Sequence, residues 1–173
     1  MSEFFKVTLT GVENSGKTTL AAKLAEELGW PLVLEKCREN EDVINGKETP
    51  VTLVEINKQQ ELAVKKHKAS GVRGVICDTG GVVLEVWSEE KFGERINCNE
   101  LVPTDLYIYC KTLPRWQADP LRLMPHYMDR TMYEFKFDAK LAKMGVGVLV
   151  LEAMDTELRL DLAVKQIKSM LDE

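Results

Sequence analysis

A three-layer α/β sandwich, a parallel sheet of about five strands covered by helices on both faces, is the fold this sequence predicts. Short apolar runs alternate with helix-length amphipathic stretches through the whole chain, the pattern of strands buried on both faces. The first apolar run also ends in a glycine-rich turn that opens directly into a helix. With 173 residues the chain has the length of one ordinary domain. No repeat, low-complexity tract or linker divides it, so residues 1–173 read as one unit.

Phe4–Thr10 reads as a buried strand. Lys17–Gly29 follows as a helix, with Leu20, Leu24 and Leu28 four apart on one face and Gly29 as its stop. Pro31–Glu35 is a short second strand, and Asn40–Lys47 a polar connection. A long helix then begins at Thr49–Pro50, or one turn on at Thr52-x-x-Glu55; either threonine is a possible cap. Val72–Asp78 is the third strand, Val82–Phe92 a helix and Thr104–Cys110 the fourth strand. Tyr133, Phe137, Leu141 and Met144, spaced by four, four and three, mark another helix ended by Gly145. Val146–Leu151 is the fifth strand, and the closing helix carries Leu160, Ala163, Val164, Ile167 and Leu171 on one face.

Hydrophobic residues make up 45% of the chain and charged residues 29%, the balance of a soluble globular protein. A net charge of −5 argues against nucleic-acid binding. Cys37, Cys77, Cys98 and Cys110 lack C-x-x-C spacing and read as reduced structural thiols. There is no apolar leader and no run of ~18 apolar residues to span a bilayer, so a cytoplasmic protein with no membrane partner is expected. The oligomeric state is not legible.

Gly11 to Thr18 matches G-x-x-x-x-G-K-[ST] between a strand and a helix, the context that separates a phosphate loop from a chance glycine-rich turn. The expected fold is therefore that of a P-loop NTPase. Gly11, Glu13, Asn14, Ser15, Gly16, Lys17, Thr18 and Thr19 are the candidate nucleotide-binding residues. Backbone N–H groups and the helix N-terminus would face the phosphates, Lys17 would reach the β and γ groups, and Thr18 would ligate magnesium. Asp78, ending an apolar strand, is the second candidate metal and catalytic group, able to hold magnesium through water or to take a hydroxyl proton. No N-K-x-D stretch selects GTP, which leaves ATP as the expected nucleotide.

Several ordered pieces together resemble the NadR-like AAA domain family, known for nicotinamide riboside kinases. GVENSGKTTL at the loop is similar to the family's G-x-E-S-S-G-K-[ST]-T-L. Glu35–Glu39 is similar to its E-x-x-R-E, Gln60 to a glutamine on the long helix, and Cys77–Thr79 with Trp87–Ser88 and Phe92–Gly93 to its D-T-D…W-S-E…[FY]-G. Trp116–Arg122 is similar to its W-x-x-D-x-x-R. The resemblance implies a kinase passing the ATP γ-phosphate to a hydroxyl of a nucleoside-like acceptor, with nicotinamide riboside the named candidate. It implies Lys17, Asp78, Arg122 and Arg130 as catalytic groups, the two arginines on a lid. It places Glu35, Arg38, Trp116 and Asp119 on the acceptor side, and ATP and magnesium as cofactors.

The chain departs from that family at definite places. The second aspartate of D-T-D is Gly80, and Leu34 stands where an aromatic would stack on a pyridinium ring. No second aromatic occurs near Val64–Lys65, and no H-x-G-H of an adenylyltransferase is present. These departures keep open a second reading, a nucleotide-binding regulatory or interaction module with little phosphotransfer. A mechanical AAA-type ATPase is disfavoured by the short chain. Trp87 reads as helix packing, and Arg130 beside Asp129 has a local ion pair as its alternative role.

Overall fold

The computed structural model describes residues 4–171. Its elements are β1 (Phe5–Thr10), α1 (Lys17–Leu28), β2 (Leu32–Val33), a 3₁₀ turn (Lys36–Glu39), α2 (Glu41–Ile44), α3 (Pro50–Ala69), β3 (Gly74–Asp78), α4 (Gly81–Phe92), β4 (Leu106–Cys110), α5 (Tyr127–Leu141), β5 (Gly147–Leu151) and α6 (Thr156–Met170). The sheet order is β2–β3–β1–β4–β5, and every pairing is parallel. The five-stranded parallel sheet with helices on both faces is thus the expected one.

One core layer lies between the sheet and helices α1 and α6, built from Val7, Leu9, Ile76, Ile108, Leu20, Leu24, Ala163 and Ile167. The other face packs Tyr107 and Tyr109 against Val82, Val86, Phe137 and Leu141 of α4 and α5. Toward the β2 edge, Val33, Val75 and Cys77 meet Val64 of α3. Strand β1 is buried along its whole length, yet alternate residues are polar. Lys6 Nζ reaches Glu61 Oε1 at 2.7 Å and the Val102 carbonyl at 2.9 Å, so the buried charge is paired and hydrogen-bonded. Thr8 Oγ1 shares a 2.8 Å hydrogen bond with Thr104 Oγ1.

All four cysteines are free and buried. Burial pushes the Cys77 thiol up to about 12, which keeps it protonated and inert.

Some boundaries differ from expectation for local reasons. The polar stretch after the 3₁₀ turn forms the short helix α2, because Asn40 accepts a hydrogen bond from the Val43 N–H at its start. Thr49 rather than Thr52 caps α3; Thr52 completes the box from inside the helix. Helix α5 begins at Tyr127, ahead of the periodic residues, and ends at Leu141, so Met144 lies beyond it. Among the described residues, no helix is long and apolar enough to cross a membrane.

Candidate functional site

The parallel order brings the C-terminal ends of β1, β3 and β4 together, with Leu9 in register with both Asp78 and Ile108. The loop after β1 and the acid ending β3 therefore sit side by side, at the end of the sheet where such folds bind ligands.

The loop is shaped by its backbone. Gly11 has φ +136, and a Cβ there would lie 2.3 Å from the Cys110 carbonyl oxygen, so only glycine fits. Helix α1 starts at Gly16 with no side-chain cap and no acidic residue in its first turn. Its leading N–H groups are left for an anion. Lys17 Nζ donates to the carbonyls of Gly11 and Val12, each at 2.8 Å, and to Ser15 Oγ at 3.1 Å. Burial lowers the Lys17 pKa, while the carboxylates of Glu35 and Asp78 oppose that shift. Behind the loop, Arg159 of α6 donates to the carbonyls of Ser15, Lys111 (2.9 Å) and Glu152 (2.8 Å). Arg159 is only 2% exposed. No local pattern marks it in the sequence, because its partner Ser15 lies 144 residues away.

Asp78 is buried, and its Oδ1 has no hydrogen-bond partner. Burial raises its pKa; the Thr18 hydroxyl and the Lys17 ammonium act against that. An unsatisfied hard oxygen beside a threonine hydroxyl suits magnesium, which takes one or two protein oxygens and completes its shell with water and phosphate. The residues present therefore fit that ion. Thr79, next in the chain, has φ 80, a strained conformation for a β-branched residue. Gln60 holds it: Nε2 donates to the Thr79 carbonyl at 3.3 Å, and Oε1 accepts from the Lys36 N–H at 3.2 Å.

Gly80 explains the missing second aspartate. A Cβ at this position would lie 2.7 Å from Thr8 Cγ2, so the space for a side chain is already filled by the Thr8 methyl. Gly80→Ala is expected to cost roughly 1–3 kcal/mol in urea unfolding, and adding Thr8→Ser, which removes that methyl and keeps the hydroxyl, is expected to recover most of it. A single variant as stable as the parent would show that the contact relaxes freely.

A cavity of about 570 Å³ opens from the loop. The loop residues line one end, with Thr18 and Thr19 exposed to it. Glu35 and Arg38 line a second wall, and Val83, Val86, Trp87, Glu90 and Lys91 a third. That spacing is one face of α4. Trp87 therefore walls the cavity as well as packing into the core behind it. Leu34 is 49% exposed and outside the cavity. Burial raises the Glu35 pKa, and Lys17 and Arg38 counter it.

Residues 111–126, between β4 and α5, cover the loop without forming helix or strand. Glu13 accepts from the N–H groups of Leu123 and Met124. Arg38 bridges Glu35 (3.3 Å) and Asp119 (2.8 Å), tying the second wall to this lid. Arg122 lines the cavity and donates to Asn14 Oδ1 at 3.2 Å. Arg130 does not share that position, which corrects its expected catalytic placement. It is fully buried: Nε donates to Thr112 Oγ1 (2.9 Å), Nη1 to the Met124 and Pro125 carbonyls, and Nη2 to those of Leu113 and Pro114. No N–H group is left for a phosphate. Trp116 lies over the Arg130 guanidinium at 5.1 Å, and neither Trp116 nor Asp119 lines the cavity.

Comparison with known proteins places these pieces in a family. An AAA domain family model matches residues 6–159. No curated protein matches the chain. Among solved structures, the fold is similar to that of NadR protein in complex with NR, with a TM-score of 0.73 and 21% identity over 98% of this chain; this chain spans 52% of that one. It is also similar to deoxyadenosine kinase from M. mycoides with bound dATP, with a TM-score of 0.67 and 14% identity over 95% of this chain and 100% of that chain. Thymidylate kinase from Ehrlichia chaffeensis gives a TM-score of 0.62 and 14% identity over 95% of this chain and 98% of that chain. With the family model spanning most of its length and the phosphate loop standing between β1 and α1, the chain belongs to the AAA domain family.

Proposed function

We propose that the protein is a small-molecule kinase that transfers the γ-phosphate of ATP to a hydroxyl of a nucleoside-like acceptor. One observation carries this reading: a single cavity runs from the phosphate loop to the Glu35–Arg38 wall and the Trp87 face of α4, with Arg122 over it. Phosphate donor and acceptor would meet within one enclosure. The solved deoxyadenosine and thymidylate kinases of similar fold support the same reading.

In this scheme Lys17 exchanges its carbonyl contacts for phosphate oxygens, and the uncapped N–H groups of α1 face the same charge. Thr18 and Asp78 hold magnesium, which supplies charge neutralisation on the phosphates when bound. Glu35, on the cavity wall with a raised pKa, takes the acceptor hydroxyl proton. A bond forms between the acceptor oxygen and the γ-phosphorus, the bond from that phosphorus to the β–γ bridging oxygen breaks, and ADP leaves. Arg38 orients Glu35, and Arg122 faces the charge of the transferred group. The apolar α4 face suits the flat face of a base, and Lys91 on that wall disfavours a cationic one.

Gly80 favours a second reading, a nucleotide-binding regulatory module, because its filled space leaves the acceptor side one carboxylate poorer. ADP release with magnesium and ATP, measured with and without a panel of nucleosides that includes nicotinamide riboside, separates the two. Acceptor-dependent turnover that falls about 10²–10³-fold in Lys17→Ala supports the kinase. Nucleotide binding that no acceptor converts into ADP release supports the module.

A further inference from the structure

The side chain of Asn14 belongs to the phosphate loop by sequence but makes its contacts with the lid. Nδ2 donates to the carbonyls of Leu113 (3.2 Å) and Arg115 (2.8 Å). Oδ1 accepts from the Gln117 N–H (3.0 Å) and from Arg122 Nη1 (3.2 Å). Both donors and both acceptor directions of the amide are used, and the residue is 6% exposed. Its φ of 57 lies in the left-handed region, which asparagine tolerates better than most residues. That conformation turns the side chain away from the curl of the loop and under the lid. Serine, found in the G-x-E-S-S-G-K form that this loop resembles, offers one hydroxyl on a shorter stem. It cannot span the distance between the Arg115 carbonyl and the Arg122 guanidinium.

We propose that Asn14 is a positioning residue: it fastens the lid to the phosphate loop and sets the Arg122 guanidinium beside the loop. Its consequence for phosphate transfer rests on the kinase reading; the fastening itself does not. Arg122 and Lys17 line the same cavity. A polyanion bound at the loop meets an arginine already set beside it. Glu13 adds a second attachment at Leu123 and Met124, but it does not touch Arg122. Among the described residues, Asn14 alone joins loop, lid backbone and lid arginine through its side chain.

The test uses the full chain without ligand first. Amide hydrogen exchange of Asn14→Ser is expected to speed up about tenfold at Gln117, the scale of one lost buried hydrogen bond, with the amides of β1 and β4 unchanged. Calorimetric titration with magnesium and ATP, with no acceptor present, then follows Asn14→Ser, Arg122→Gln and the double variant. If Asn14 acts through Arg122, the double variant binds about as weakly as Arg122→Gln alone, a clear departure from additivity. Unchanged exchange at Gln117 in Asn14→Ser, or additive affinities, would each overturn the proposal. Failure of the kinase reading looks different: no acceptor-dependent ADP release, with the exchange and affinity results intact.

Discussion

Asp78→Asn is expected to reduce acceptor-dependent phosphotransfer by about 10²-fold, the scale of losing one charge-stabilising group, and, at neutral pH, to make the nucleotide-free protein more stable. The two effects share one cause. Asp78 is buried at the end of β3 with Oδ1 unpartnered, and burial raises its pKa. A carboxylate whose folded pKa is raised favours the folded state below its unfolded pKa and gives up that contribution as pH climbs through the folded value. Glu35 is shifted the same way by its own burial, and Asp78 reinforces it. The ligand-free protein therefore holds two poorly solvated carboxylates near Lys17 at neutral pH. Asparagine removes one of those charges. A gain of about 1 kcal/mol is the scale for relieving such a site, or roughly 2–4 °C in Tm for a chain of this size. The gain should grow with pH above the ordinary aspartate range and vanish below it. Adding magnesium and ATP should reverse the ranking, because the wild type gains binding energy that the variant loses. Melting curves across pH, with and without nucleotide, check both halves. A variant that turns over within tenfold of wild type, or that melts lower at every pH, refutes the assignment of Asp78.

How much of this could be read from the sequence depended on how far apart the interacting groups lie along the chain. The loop was legible because Gly11 to Thr18 is contiguous and its context, one strand and one helix, is local. Asp78 was legible because a lone acid at the end of an apolar strand breaks the pattern. The start of α3 was legible to within one turn because Thr49–Pro50 and Thr52-x-x-Glu55 are both local signals, and only the structure shows that Thr49 is the cap. In contrast, Arg159 serves the loop from the closing helix, and nothing around it distinguishes it from any helix arginine. Trp87 read as packing because α4 presents apolar residues both to the core and to the cavity, and periodicity alone does not say which apolar face meets a void. Gly80 read as a loss of function chemistry, whereas its neighbour in space, Thr8, shows a steric constraint across adjacent strands. Arg130 was misplaced because the resemblance placed both lid arginines among the catalytic groups, and only the carbonyls around Arg130 reveal which way it faces.

Arg130→Met should therefore destabilise the fold before it affects chemistry. The guanidinium gathers Thr112, Leu113, Pro114, Met124 and Pro125, both ends of the lid, onto the first turn of α5. Methionine keeps much of the volume and takes the guanidinium donors from Thr112, Pro114, Met124 and Pro125, while Leu113 keeps only Asn14, in a place where water enters poorly. Stranded buried acceptors cost about 1–3 kcal/mol apiece, partly offset as the lid shifts toward solvent, so a net loss of roughly 3–5 kcal/mol is expected in urea unfolding. Arg130→Lys should recover little of it, since a single ammonium cannot point at carbonyls spread across a planar fork. Arg122→Gln is the informative contrast. Arg122 lines the cavity, and among the described residues its hydrogen bonds go to Asn14 and the Gln117 carbonyl, so its loss should lower turnover with little change in the unfolding midpoint. If Arg130→Met kept its midpoint and lost turnover, the buried arginine would have to leave its carbonyls during the reaction, and the lid would be a moving catalytic part rather than a fastened cover.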